Sequence, residues 1–283
     1  MSYKTILVHL SDERRAGQLL QASLHLARAS KAHLIGLCVV PPVVIAPGMD
    51  GGGAAVIEEH RTVYREQMSR IRQAFEAATR LQTFQSEWRE LDAGYRNALD
   101  LVMDHGRTAD LIIASQADPE WGYSEQLEAP ERLAIESGRP VLLIPVAGKH
   151  DDSGNGFAKR VVVAWNGRRE SARAIFDALP LLKHAEHVAV VWINPHHEGA
   201  ADGDLPGVDM CGALARHGVK CEATQTIRLG AGIGETLLSM QKTSGADLLV
   251  MGCYGHSRFR EFVFGGATRH VLTHMTGPVL MSH

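Results

Sequence analysis

Residues Asp247–His283 read DLLVMGCYGHSRFREFVFGGATRHVLTHMTGPVLMSH. The stretch opens with an unbroken apolar run, Leu248-Leu249-Val250-Met251, which suits a strand buried on both faces. It then breaks at Gly252 and Gly255, crosses nine residues, and breaks again at Gly265-Gly266 before a helical pattern. Strand, glycine turn and helix start together make the geometry of an anion site. A glycine has no Cβ, so a ligand can come close to its amide, and the following helix offers unpaired N–H groups and the positive end of its dipole.

The rest of the chain alternates in the same way. Thr5–Leu10 reads as a strand, Arg14–Ser30 as a helix, and His33–Val40 as a second strand ended by Pro41-Pro42. A long helix is expected from about Ala54 to Leu81, a strand over Ser86–Leu91, a helix over Tyr95–His105 and a strand over Leu111–Ser115. A helix over Glu128–Ser137 and a fifth strand over Pro140–Val146 complete this series. Ala147–Phe157 is polar, glycine-containing and aperiodic, as a linker should be. Beyond it the order restarts with strands at Val161–Trp165, Val188–Ile193, Lys220–Ile227 and Leu248–Met251, and helices at about Glu170–Leu182 and Gly234–Thr243.

The repetition extends to residues. Ala109-Asp110-Leu111-Ile112-Ile113 returns as Ala246-Asp247-Leu248-Leu249-Val250, and Arg139-Pro140-Val141-Leu142-Leu143 as Gly277-Pro278-Val279-Leu280-Met281. The offsets are 137 and 138 residues. Two near-equal offsets imply two copies of one domain, spanning 1–146 and 158–283 around the linker 147–157. At 283 residues the chain has the length for two such domains. Alternating strands and helices imply an α/β fold of tandem doubly wound parallel sheets, with helices on both faces and ligands bound beyond the carboxyl ends of the strands.

The glycine spacing resembles that of the universal stress protein family, whose nucleotide-binding members carry G-x2-G-x9-G-[S/T]. Gly252, Gly255 and Gly265 match, while Gly266 stands where the family has its hydroxyl residue. The resemblance covers nearly the whole chain as two universal stress protein domains. It implies five strands per copy in the order 3-2-1-4-5, an intramolecular pseudo-dimer joined through the fifth strands with room for a homodimer beyond it, and ATP or a related adenine nucleotide, with or without Mg, in the second copy. On that resemblance Asn166 takes the place of an acidic residue that meets adenine or ribose, and Ile193 marks the backbone that brackets adenine. Met251, Gly252 and Gly255 lie along ribose and phosphate, and Gly265, Gly266 and Ala267 hold the phosphates. Thr268 offers a hydroxyl one turn on. A hydrogen bond missing at Asn166 or Gly266 is worth roughly 0.5–1.5 kcal/mol, which weakens binding without abolishing it. Arg258, Arg260 and Arg269 flank the motif.

The first copy reads Ala114-Ser115-Gln116-Ala117-Asp118-Pro119-Glu120 at the matching turn, without the glycines and with two carboxylates that would repel phosphate. A degenerate, non-binding partner is expected there. The role implied by the family is a stress-response regulator that binds nucleotide, with no catalytic residue assigned and slow ATP hydrolysis as the upper limit. The competing readings are a ligand-free scaffold, in which the glycines only turn the chain, and a dinucleotide-binding oxidoreductase built on Gly230-Ala231-Gly232-Ile233-Gly234. The latter fails on spacing, because G-x-G-x-x-G puts Glu235 where the third glycine belongs.

Composition narrows the field. A net charge of −3 without a basic run argues against nucleic-acid binding. Cys38, Cys211, Cys221 and Cys253 are far apart in sequence and read as reduced thiols. No apolar stretch has the length of a membrane span, so a cytoplasmic protein is expected. Fifteen histidines raise a metal hypothesis, chiefly at His196-His197 or His184 with His187. Adjacent loop histidines usually point apart, and no metal site is assigned.

Overall fold

A computed structural model describes residues 2–42, 53–118, 120, 129–147, 157–193, 207–230, 232–253 and 266–283. By contact the chain divides into two compact units, Tyr3–Ala114 and Ser115–His283. No helix among the described residues is long and apolar enough to cross a membrane.

The first unit holds β1 (Thr5–His9), α1 (Glu13–Ser30), β2 (His33–Val40), α2 (Gly53–Thr79), β3 (Ser86–Asp92), α3 (Ala98–Gly106) and β4 (Leu111–Ser115, whose last residue belongs to the second unit). Its strands are parallel in the order β3-β2-β1-β4. The central ones are mostly apolar because both faces are covered, and Ile6, Leu7, Val8, Leu111, Ile112 and Ile113 are fully buried. At the edge β3 reads SEWRELD, and its charges discourage pairing with another chain. Helix α1 starts where buried Asp12 accepts the Arg14 amide at 2.9 Å, and ends at Lys31 in the left-handed conformation, φ 51°. One face of α2 is anchored by Met68, Ile71 and Phe75, all buried.

The second unit contains α4 (Ala129–Glu136), β5 (Val141–Ile144), β6 (Arg160–Ala164), α5 (Arg169–Asp177), α6 (Leu179–Leu182), β7 (His187–Ile193), α7 (Val208–Arg216), β8 (Cys221–Thr226), α8 (Ile233–Thr243), β9 (Leu248–Gly252), α9 (Gly266–His274) and β10 (Val279–Ser282). Strands β10-β9-β6-β7-β8 are parallel in that order, which is the expected 5-4-1-2-3 arrangement. Strand β5 runs antiparallel to β10, with Val141 opposite Met281, Leu142 opposite Leu280 and Leu143 opposite Val279. Leu142 faces the residue 138 further on, Leu280, and the flanking pairs Val141–Met281 and Leu143–Val279 are reciprocal about it, so the ladder has the form of a two-fold contact. This ladder is why the contact boundary falls at Ala114 and not in 147–157.

Two expectations are corrected. The helix read as Glu170–Leu182 is two helices, because Pro180 has no N–H to continue the ladder and Leu179 restarts it as the short α6. A helix that was not read from the sequence, α7, also lies between β7 and β8, nine residues against the 27 of α2.

The repeated Ala-Asp-Leu has a physical reason. Asp110 Oδ2 accepts the amides of Lys4 and Thr5 at 2.6 and 3.0 Å, and Asp247 accepts those of Lys159 and Arg160 at 2.9 Å each. Each aspartate thus fixes the start of the first strand beside it.

Candidate nucleotide site

In a sheet of order 3-2-1-4-5 the strand order reverses between the first and fourth strands, here β6 and β9, and the crevice opens beyond their carboxyl ends. Met251 and Gly252 end β9, Ile193 ends β7, and Asn166 follows β6, so four of the expected residues share one rim of the sheet. Helix α9 connects the parallel strands β9 and β10, so its start also lies toward the carboxyl ends. Gly255, Gly265, Arg258 and Arg260 lie outside the described residues.

Asn166 is exposed and builds the turn into α5. Its Oδ1 accepts the Arg168 amide at 3.0 Å and the Ser171 hydroxyl at 2.7 Å, and Ser171 Oγ also lies 2.8 Å from the Arg168 carbonyl. This is a side-chain turn of the kind Asn and Ser form ahead of a helix. Beside it Gly167 has φ 72°, and a Cβ there would lie 3.2 Å from the Trp192 ring. Trp192 meets Trp165 edge to face with ring centres 6.4 Å apart, and both rings are half-buried.

Gly252 is needed for packing. A Cβ at that position would lie 2.4 Å from Glu170 C, 2.5 Å from Ser171 N and 2.7 Å from Glu170 O, so the first turn of α5 rests directly on the end of β9. Met251 is buried and Ile193 half-buried. Gly266 differs: it is exposed, opens α9, and among the described residues has no atom within 4 Å of where a Cβ would stand. Ala267 is half-buried, Thr268 is 4% exposed, so its side chain lies within the packing, and Arg269 is exposed.

Two groups at this rim escaped the sequence reading. Ser171 completes the Asn166 turn, and an N-G followed by Ser five residues after the Asn was its visible signal. Glu170 is buried at the start of α5. Burial raises its pKa, but a hydrogen bond from Arg169, its own backbone amide, the Arg169 charge and His283 together hold it below the usual carboxylate range. Nearby Cys253 is buried, with Sγ 3.3 Å from the Ser282 carbonyl, and burial, followed by the Glu170 and Glu131 charges, pushes its thiol up to about 12. It is a packing thiol.

The competing glycines have local roles. Gly232 adopts φ 115° at the start of α8, and Thr236 Oγ1 accepts the Leu229 amide and donates to the Gly232 carbonyl, each at 2.9 Å. Of the histidines weighed for metal, His184 is exposed, His187 lies 3.2 Å from Glu222, and His196 and His197 are outside the described residues. In the turn after β4, Asp118 Oδ1 accepts the Glu120 amide at 3.0 Å.

The model of the universal stress protein family matches residues 158–283. Residues 158–283 are a universal stress protein domain. Among solved structures, the chain resembles a universal stress protein from Archaeoglobus fulgidus DSM 4304, with TM-score 0.70 and 17% identity over 98% of this chain and 95% of that one. It also resembles one assigned to the same family from Pseudomonas aeruginosa UCBPP-PA14, with TM-score 0.56 and 15% identity over 99% and 93%. The cytoplasmic domain of a prokaryotic cation chloride cotransporter shares the fold at TM-score 0.50 and 13% identity, over 98% and 94%. Curated proteins give no match. At these identities the likenesses establish the fold, whereas the universal stress protein assignment of 158–283 rests on the family model.

Proposed function

We propose that the universal stress protein domain binds ATP or a related adenine nucleotide beyond the carboxyl ends of β6, β7 and β9, as the sensing half of a cytoplasmic stress-response regulator. The observation that carries the reading is the start of α9. Gly266 opens α9 on the carboxyl-end side of the sheet, where a Cβ would meet no atom of the described residues within 4 Å, in a domain of a family with nucleotide-binding members. Asn166, Ile193, Met251, Gly252, Gly255, Gly265, Gly266, Ala267 and Thr268 form the site in this proposal, and the phosphates lie against the backbone of 265–267.

The proposal includes a tandem architecture, with residues 1–146 as a second, degenerate copy joined by 147–157. Three features support it: the β3-β2-β1-β4 order, the matching Asp110 and Asp247 anchors, and the exchange of equivalent residues across β5 and β10.

A ligand-free scaffold is favoured by one specific observation: Asn166 Oδ1 and Gly252 are both already used to seat α5. Calorimetric titration with ATP, ADP and cAMP, repeated on Gly255→Val, decides between the two. Saturable binding that the variant loses is the expected result. Absence of binding in the unaltered protein, or equal binding in both, overturns the nucleotide reading.

A further inference from the structure

Cys211 of α7 and Cys221, the first residue of β8, are ten residues apart in sequence and meet in the fold. We propose that they form a redox-active dithiol, which closes reversibly to a disulfide with a small disulfide of the glutathione class as oxidant. This pair is independent of the nucleotide reading.

The juxtaposition follows from the crossover. Strands β7 and β8 are parallel, so α7 between them runs back against the direction of β8. Gly207, just ahead of α7, lies over Ala223 of β8: a Cβ on the glycine would stand 3.8 Å from the Ala223 Cβ. Cys211 is four residues along the helix, on the same face and about 6 Å further on, and Cys221 is two residues back along the strand, again on the same face and about 6.6 Å away. The two steps match, and Cys221 Sγ lies 3.8 Å from the Cys211 carbonyl oxygen. The turn between the cysteines is fixed as well. Gly218 has φ 83°, its amide donates to the Ala215 carbonyl at 2.9 Å, and the Val219 amide donates to the Leu214 carbonyl at 3.1 Å, which closes the helix as a Schellman motif does. Both cysteines are reduced and half-buried, whereas Cys38 and Cys253 are 2% and 0% exposed, so a dissolved oxidant meets this pair first.

The order of events follows from the protons. Burial, then a hydrogen bond with the Cys221 thiol, the Cys221 charge and the Glu222 charge push the Cys211 thiol up to about 12, so Cys211 keeps its proton and the first attack falls to Cys221. The Cys221 thiolate displaces one glutathione thiolate from the oxidant and becomes a mixed disulfide. Two of the influences that held the Cys211 proton are removed with the Cys221 thiol. Cys211 then gives up its proton and attacks Cys221 Sγ, releasing the second glutathione. The protein loses two electrons and two protons, and one glutathione disulfide becomes two glutathione thiols.

The test treats the full, reduced chain under native conditions with excess oxidised glutathione, blocks the remaining thiols with iodoacetamide and maps tryptic peptides by mass. Cleavage after Lys183, Arg216, Lys220 and Arg228 puts Cys211 in peptide 184–216 and Cys221 in peptide 221–228. The expected result is these two peptides joined, two hydrogens lighter than their sum and parted by dithiothreitol, in the unaltered protein and equally in Cys38→Ser. Cys211→Ser should instead retain one glutathione on Cys221, having no second thiol to displace it. Peptides 184–216 and 221–228 that stay unlinked in the unaltered protein, are linked only between chains on a non-reducing gel, or become linked only once urea is added overturn the proposal. Each of these outcomes is read on the unaltered chain, so none depends on a variant's folding.

Discussion

Alanine at Gly252 and alanine at Gly266 should move stability in opposite directions. At Gly252 the added methyl would sit 2.4 Å from Glu170 C and 2.5 Å from Ser171 N, about 1 Å inside ordinary contact. Both atoms are backbone in the first turn of a helix, so no side-chain rotation relieves the clash. Either α5 lifts off β9, or the strand end bends. Inserting a methyl into a packed interior of this kind costs about 1–3 kcal/mol. At Gly266 an added Cβ would meet no atom of the described residues within 4 Å, and the residue opens a helix, so alanine should gain up to about 0.5–1 kcal/mol from reduced chain entropy. Urea unfolding of both variants measures the difference through the midpoint, with the slope checked for constancy. Gly252→Ala within about 0.5 kcal/mol of the unaltered protein would show that β9 and α5 are not in backbone contact, and would return Gly252 to the list of glycines kept for a ligand.

Other substitutions probe the frame around the site. His9 is buried and its pKa is lowered from 6.5 to about 4 by burial, so the unfolded chain takes up its proton at a higher pH than the folded one. Stability should therefore fall as pH drops from 6.5 towards 4, by about 3 kcal/mol in all at about 1.4 kcal/mol per pH unit, and then level off. Denaturant midpoints at pH 7 and pH 5 should converge in His9→Leu; an unchanged pH dependence would refute the assignment. Gln116→Leu removes its bonds to Leu272, Thr273 and the Val146 amide and should destabilise the second unit by about 1–3 kcal/mol in thermal unfolding. Asp247→Ala leaves the Lys159 and Arg160 amides without their acceptor and should lower stability by about 1–3 kcal/mol, with faster hydrogen exchange at the start of β6.

The sheet was legible because its central strands are apolar on both faces. Runs such as Leu248-Leu249-Val250-Met251 have no helical period, and the 138-residue offset read from the sequence reappears where Leu142 of β5 faces Leu280 of β10. The break at Pro180 was masked by Leu179, Leu181 and Leu182, which continue the apolar face and are all buried. Helix α7 was missed because only Met210 and Leu214 of its nine residues are buried hydrophobics, too few to give a period. The site was harder to read for a different reason. A glycine has the same letter whether it spares room for a phosphate or for a neighbouring helix, and only the position of Glu170 beside Gly252 separates the two. Asn166 shows the same ambiguity: its polarity was visible, but the Arg168 amide and Ser171 hydroxyl that occupy its oxygen are features of the folded turn.

On the tandem reading, the turn after the fourth strand has taken on two different tasks. Gln116 and Cys253 are equivalent, and their amides bond to the equivalent carbonyls of Ile144 and Ser282. Their side chains then reach equivalent partners in reciprocal fashion, Gln116 to Leu272 O at 2.8 Å and Cys253 Sγ to Ala134 O at 3.6 Å. The glutamine adds bonds to Thr273 O and Val146 N, whereas the thiol is a weak donor with its pKa pushed up by burial. The first copy therefore fastens the end of α9, and the second copy contributes little hydrogen bonding in return. A turn committed to that fastening carries Asp118 and Glu120 without penalty, because no phosphate has to approach them. Strengthening Cys253 to a glutamine would test this division. If the space between the Ala134 and Ser282 carbonyls accepts the longer side chain, the variant should gain stability in urea unfolding, because an amide is a stronger donor than the thiol; a midpoint lower than that of the unaltered protein would refute the reasoning.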